Sequence, residues 1–173
     1  MKAFWLINLG LFQLAWWSAA LLTESAGYII AGLIVLHCLL SPSLKADLRL
    51  MALLPLGLLV DGALIALGVF SGLESAFPLW LALLWVIFLM SLNHSLRPLS
   101  RLGLPWLMLI GAFGGAGSYW AGLSLGALTS QQSDLHFWLI TAPVWAVIFP
   151  LLFWGQGILS AQQGKANKGH EVR

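Results

Sequence analysis

Six polar side chains interrupt otherwise apolar runs of this chain and carry its potential chemistry: Asn8, Gln13, His37, Asp61, Asn93 and His94. Asp61 is the most demanding of them, because the surrounding stretch, "GLLVDGALIAL" at 57–67, holds no other charge. An aspartate at the centre of a membrane helix costs roughly 2.5–3.5 kcal/mol on insertion scales, so it must face other helices rather than lipid. A proton-carrying or head-group-binding carboxylate is one reading. The other is interhelical glue, although a hydrogen bond within the membrane returns only about 0.6 kcal/mol on average. His94 lies in "SLNHSLRPLS" at 91–100, where an amide, an imidazole and a hydroxyl follow one another. Imidazole titrates near neutral pH and serves as acid or base, and Arg97 suits a lipid phosphate. The same residues also describe a helix end, with Asn at the cap, His and Arg at the negative end of the dipole and Pro98 as the stop. On the residues alone both readings stay open. His37 equally reads as a residue bonding a neighbouring helix.

The elements that must position these groups follow from composition. Of 173 residues, 60% are hydrophobic and 8% are charged, against about 25% charged in a soluble domain. So few charges cannot build a water-facing surface, and ten Trp and nine Phe suit the aromatic belts of a bilayer. Runs long enough to cross a bilayer, about 20 apolar residues each, are expected at 3–22, 26–40, 50–70, 77–92, 104–128 and 136–159. The fold class implied is an all-α polytopic membrane bundle of six transmembrane helices. It occupies residues 1–160, with a short polar tail at 161–173 that is expected to be disordered. A cleaved signal peptide is the rival reading of the first run, since Lys2 leads it. That run exceeds the roughly 7–15 residues of a signal core and contains Asn8 and Gln13, so retention is expected.

Counting along the spans at 1.5 Å per residue sorts the polar groups by depth. Asp61 and Gln13 fall near mid-membrane and are expected to pair. Asn8, His37, Asn93, His94 and Gln156 fall near one face, where Asn8 and His94 are expected to point into a single cavity with Arg97 at its rim. In the fifth run Gly111 and Gly115, and separately Gly114, Ser118, Gly122 and Gly126, recur at intervals of four. That spacing lets helices approach closely and predicts a central packing helix. Pro55, Pro143 and Pro150 predict kinks. The single Cys38 excludes an internal disulfide, and no basic stripe suits nucleic acid. No repeated His motif or nucleotide loop is present, so no metal and no cofactor is expected.

Asn8, Gln13 and Trp16, "VDG" in the third run, "PLWLALLWVIFLMSLNHSL" at 78–96, "GGAGSYWAGLSLGA" at 114–127, Trp145 and Pro150 together resemble one family, the bacterial inner-membrane domain of unknown function 2878. Where the family pattern has Pro after the Gly-Gly pair, this chain has Ala116. The resemblance implies a six-helix inner-membrane protein with no established activity, whose genes tend to accompany fatty-acid modification genes. It supports treating Asn8, Gln13, Asp61, Asn93 and His94 as a set. The expected function is therefore lipid-related, as an accessory factor or carrier in fatty-acid or phospholipid modification, with membrane lipids as partners. A small proton-coupled permease is the alternative, and an assembly subunit or homo-oligomer a third. Whether the protein is an enzyme, and which residues would be catalytic, is left open by the sequence.

All eight Lys and Arg lie at the N-terminus, in the 41–49 and 93–101 connections or in the tail, and the other three connections contain none. The positive-inside rule places those regions, and both termini, in the cytoplasm. Reporter fusions or two-sided cysteine labelling at residues 45 and 99 are expected to report the cytoplasm. A periplasmic signal at either defeats this topology.

Overall fold

In an apolar medium a backbone must satisfy its own hydrogen bonds, and helices do so within one segment. A computed structural model describes residues 4–72 and 77–171, with side chains described as far as residue 162. Lys2, Glu74 and Arg173 of the charge pattern lie outside the described residues. The described chain is arranged as six helical rods. Helices α1 (Phe4–Leu21) and α2 (Thr23–Leu40) make the first two. The third is α3 (Leu44–Arg49), a 3-10 turn over Leu50–Leu53 and α4 (Leu54–Ala66) in succession. Helix α5 (Leu79–Ser91) is the fourth and is followed by a 3-10 turn at Arg97–Arg101. The fifth joins α6 (Leu104–Ile110) to α7 (Ala116–Ser124) through a π-helical turn at Gly111–Gly115. Helix α8 (Asp134–Glu171) is the sixth. Strands β1 (Ser71–Gly72) and β2 (Leu128–Thr129) pair antiparallel, and Ser71 Oγ meets Thr129 Oγ1 at 2.8 Å across them.

The protein is thus an all-α bundle of the expected kind. Phe4–Leu21, Thr23–Leu40, Leu44–Ala66 and Asp134–Gln162 are each long and apolar enough to cross a membrane. Helix α5 is shorter, with 13 residues, or about 20 Å. Large apolar side chains such as Leu6, Leu59, Leu79, Trp106, Phe113 and Trp154 are exposed, as a lipid-facing exterior requires. The tail departs from expectation, since α8 continues as helix to Glu171. Extending an existing helix adds one hydrogen bond per residue without a new nucleus, and the Ala, Gln and Lys of this stretch are good helix formers.

The centre of the bundle is α5, not the fifth rod that its small residues predict. Helix α5 packs on α1, α2, α3 and α4 and buries Trp80, Leu81, Trp85, Ile87, Leu89 and Met90. The fifth rod lies mainly against α8. Its two glycine ridges serve different neighbours. A Cβ at Gly111 would overlap the Trp145 backbone and Phe149, and one at Gly115 would overlap the Trp145 indole. On the other ridge, Trp16 Nε1 of α1 donates to Ser118 Oγ at 2.6 Å, and a Cβ at Gly122 would meet Leu128. The π turn falls immediately before Ala116, so this rod is distorted without a proline. Pro55 sits in the first turn of α4, after the 3-10 turn, and Pro143 and Pro150 lie within α8.

Adding volume to this seam should act as overpacking, at about 1–3 kcal/mol. Gly115→Val is therefore expected to lower the thermal midpoint in detergent. Gly114→Ala, whose new Cβ meets nothing within 4 Å, is expected to leave it unchanged. Thermal unfolding followed by circular dichroism checks the pair, and equal loss in both would contradict the seam.

Candidate functional site

Heptad-like spacing decides which polar groups turn inward. Helix α1 buries Phe4, Asn8, Leu11, Ala15 and Ser18, α2 buries Ala26, Ile30 and His37, and the third rod buries Asp47, Leu50, Gly57, Asp61 and Leu64. Where these three rods meet the end of α5, Asn8, His37 and Asp47 are fully buried. The Asp47 carboxylate is the hub. His94 Nε2 lies 3.0 Å from its Oδ1 and 2.9 Å from its Oδ2, and His37 Nε2 lies 3.2 Å from Oδ2. Asn93 Nδ2 donates to Oδ1 at 2.9 Å, and Ser41 Oγ donates to Oδ2. Gln156 on α8 donates to Asn93 Oδ1 at 3.3 Å.

Asn8 fixes the protons of this network. Its Oδ1 accepts from the Ser95 backbone N–H at 3.1 Å and from Ser95 Oγ. Its Nδ2 therefore faces His37 Nδ1, at 3.4 Å. With Nδ1 accepting, the His37 proton sits on Nε2 and is donated to Asp47. Phe4 covers both imidazoles edge-on, with ring centroids 5.5 Å from His37 and 4.7 Å from His94.

Four of the six residues singled out in sequence, Asn8, His37, Asn93 and His94, thus come together, with Gln156 beside them. Asp47, which joins them, is missed by a reading that treats "SPSLKADLR" as a charged surface connection between Lys45 and Arg49. A signal for it exists. Asp47 precedes Asp61 by 14 residues, two heptads, and so occupies the same helical face.

The expected Asp61–Gln13 pair is not formed. Asp61 is fully buried, but its partners are Trp85 Nε1–H, at 2.7 Å on Oδ2, and the Tyr119 hydroxyl, at 2.8 Å on Oδ1. Gln13 lies on an exposed part of α1. The two groups share a depth, but Gln13 follows Asn8 by five residues, or roughly 140° around a helix, so both cannot face inward. Asp61 clasps α4 to α5 and α7.

Two cavities flank these clusters. An apolar groove of about 450 Å³ runs beside α1, α5, α7 and α8 and is lined by Gln13, Trp16, Trp85, Phe88, Gly114, Tyr119 and Trp145 among others. Leu96 and Leu99 line it at one end and Leu128 at the other. Trp85 and Tyr119, the partners of Asp61, form part of its wall. A second cavity, of about 670 Å³, is lined by Phe4, Trp5, Asn93, His94, Ser95, Arg97, Pro98, Ser100 and Arg101. Arg97 and Arg101 are exposed.

Fold and composition define a multi-pass, all-helical membrane architecture with polar clusters at two depths. The chain belongs to the family described as "Protein of unknown function (DUF2878)", whose profile matches residues 5–151. No curated protein and no solved structure matches it significantly.

If Asp61 is a clasp, its replacement should be graded by hydrogen-bonding capacity. Asp61→Asn keeps an acceptor for Trp85 and a group that can bond the Tyr119 hydroxyl. Asp61→Leu leaves two buried donors unpaired, at about 1–3 kcal/mol each. The expected order of thermal midpoints in detergent is wild type, then Asn, then Leu. A Leu variant as stable as wild type would exclude the clasp.

Proposed function

We propose that this protein binds a membrane phospholipid or related anionic amphiphile, with an acyl chain in the apolar groove and the anionic head group at Arg97 and Arg101. It acts as a carrier or accessory factor in lipid modification. The observation that carries this reading is the two-faced segment at 95–101. Leu96 and Leu99 line the groove, while Ser95, Arg97, Pro98, Ser100 and Arg101 line the neighbouring cavity. One short turn therefore separates an apolar space from a basic one, as the two ends of an amphiphile require. The groove falls within the roughly 300–1,000 Å³ of small-molecule sites, and guanidinium suits phosphate. The one-sided distribution of Lys and Arg supports a cytoplasmic position for the basic cavity, which this reading assigns to a bacterial inner membrane.

A proton-coupled permease has less support. Its midplane carboxylate would have to meet a pathway, and Asp61 stands behind Trp85 and Tyr119 with both oxygens occupied.

Protein in nanodiscs can be tested with a photoactivatable anionic phospholipid. Crosslinks to groove residues are expected, and Gly114→Trp should suppress them by filling the groove. Removing Arg97 and Arg101 should weaken binding by roughly 1 kcal/mol each, about fivefold, in a salt-dependent way. Undiminished labelling of Gly114→Trp, or indifference of binding to both arginines, would reject the proposal.

A further inference from the structure

We propose that His37, Asp47 and His94 form a binding site for a divalent first-row transition metal, with zinc the reference ion. The three residues come from α2, α3 and the segment after α5, and one ligand atom of each lies within 4.8 Å of the others. The His–Asp donor separations, 2.9–3.2 Å, approach the roughly 3.0–3.4 Å edges required around an ion with bonds near 2.1 Å. Two imidazoles and a carboxylate are a donor set for zinc and its neighbours.

Four donor groups, from His37, Ser41, Asn93 and His94, converge on Asp47, matching the roughly four lone-pair sites of an ionised carboxylate. Two of the four are imidazole nitrogens, and His94 Nε2 is nearly equidistant from both oxygens. An ion between the carboxylate and the two Nε2 atoms takes the place of the two ring protons. Asn93 and Ser41 hold the carboxylate from outside, as groups beyond the ligands do in metal sites. His37 and Asp47 are sealed, whereas the His94 side chain keeps 8% exposure and lines the basic cavity. The ion's remaining position therefore opens towards Arg97 and Arg101. Coordination through His37 Nε2 moves the ring proton to Nδ1, so Asn8 must turn its carbonyl oxygen towards the ring, releasing the Ser95 N–H and donating its amide to Ser95 Oγ instead.

Metal uptake is read separately from lipid binding. Chelator-stripped protein in nanodiscs is titrated with Zn²⁺ by equilibrium dialysis and elemental analysis, and with Co²⁺ by visible absorption. One equivalent is expected, with a Co²⁺ spectrum that Zn²⁺ removes. His37→Gln, Asp47→Asn and His94→Gln should each weaken uptake at least tenfold. His136→Ala with His170→Ala should leave it unchanged. Asn8→Asp places a carboxylate at His37 Nδ1 and should tighten binding, about tenfold or more. Unchanged or weaker binding by Asn8→Asp overturns coordination through His37 Nε2. Absence of a Zn²⁺-sensitive Co²⁺ spectrum in the wild-type chain, a test that needs no variant to fold, overturns the site. So does uptake that survives the double His37→Gln/His94→Gln change, or that is lost with His136 and His170.

Discussion

In an apolar medium a buried carboxylate must be met by donors from its own protein, and Asp47 collects them from Ser41, His37, Asn93 and His94. Leaving even one such group unpaired costs on the order of 1–3 kcal/mol. Dispersion among apolar side chains alone would tolerate many rotations of a smooth helix. The Asp47 network does not, because it engages α2, α3 and the end of α5 at once, and Asn8 brings in α1 through His37 and Ser95. The cluster is better understood as fixing the register of the bundle than as a large source of stability, since hydrogen bonds within membranes are individually weak.

The same constraint acts at mid-depth with different partners. Asp61 is answered by an indole N–H and a phenol O–H rather than by a cation, which locks two aromatic rings in place. Trp85 in turn stacks on Trp145, with ring centroids 5.5 Å apart and planes 2° from parallel. Trp145 fills the space left by Gly115 across the seam between the π turn of the fifth rod and α8. A polar clasp, an aromatic stack and a glycine notch therefore form one continuous unit. That unit makes the far wall of the groove, while α1 stands on the other side and reaches across through Trp16 and Ser118.

The groove and the basic cavity depend on these two clusters in turn. The Asp47 network holds Asn93 and His94, and the Ser95 backbone is held by Asn8. The following turn, Arg97–Arg101, is thereby anchored at its start and can present leucines to one side and arginines to the other. An apolar space and a charged space meet at a fixed divider.

The sequence by itself determined that the chain is a helical membrane bundle, because so low a charge content and so many long apolar runs admit no water-facing surface. It also located the rods, since their lengths are limited by the thickness of a bilayer, and it marked Asn8, His37, Asn93 and His94 as neighbours in depth. Depth is one coordinate of three. Rotation about each helix axis separated Gln13 from Asp61, and the choice of neighbours gave Asp61 to Trp85 and Tyr119. The small residues of the fifth rod revealed close packing but not against which helix, because a glycine notch is complementary to any large side chain of the right shape. Trp145 on α8 supplied it, leaving α5 at the centre. Asp47 was hidden by its setting between Lys45 and Arg49, where a charge looks solvated. Only the packing of three rods decided that it is buried, because burial is a property of what surrounds a residue in space and not of its neighbours along the chain.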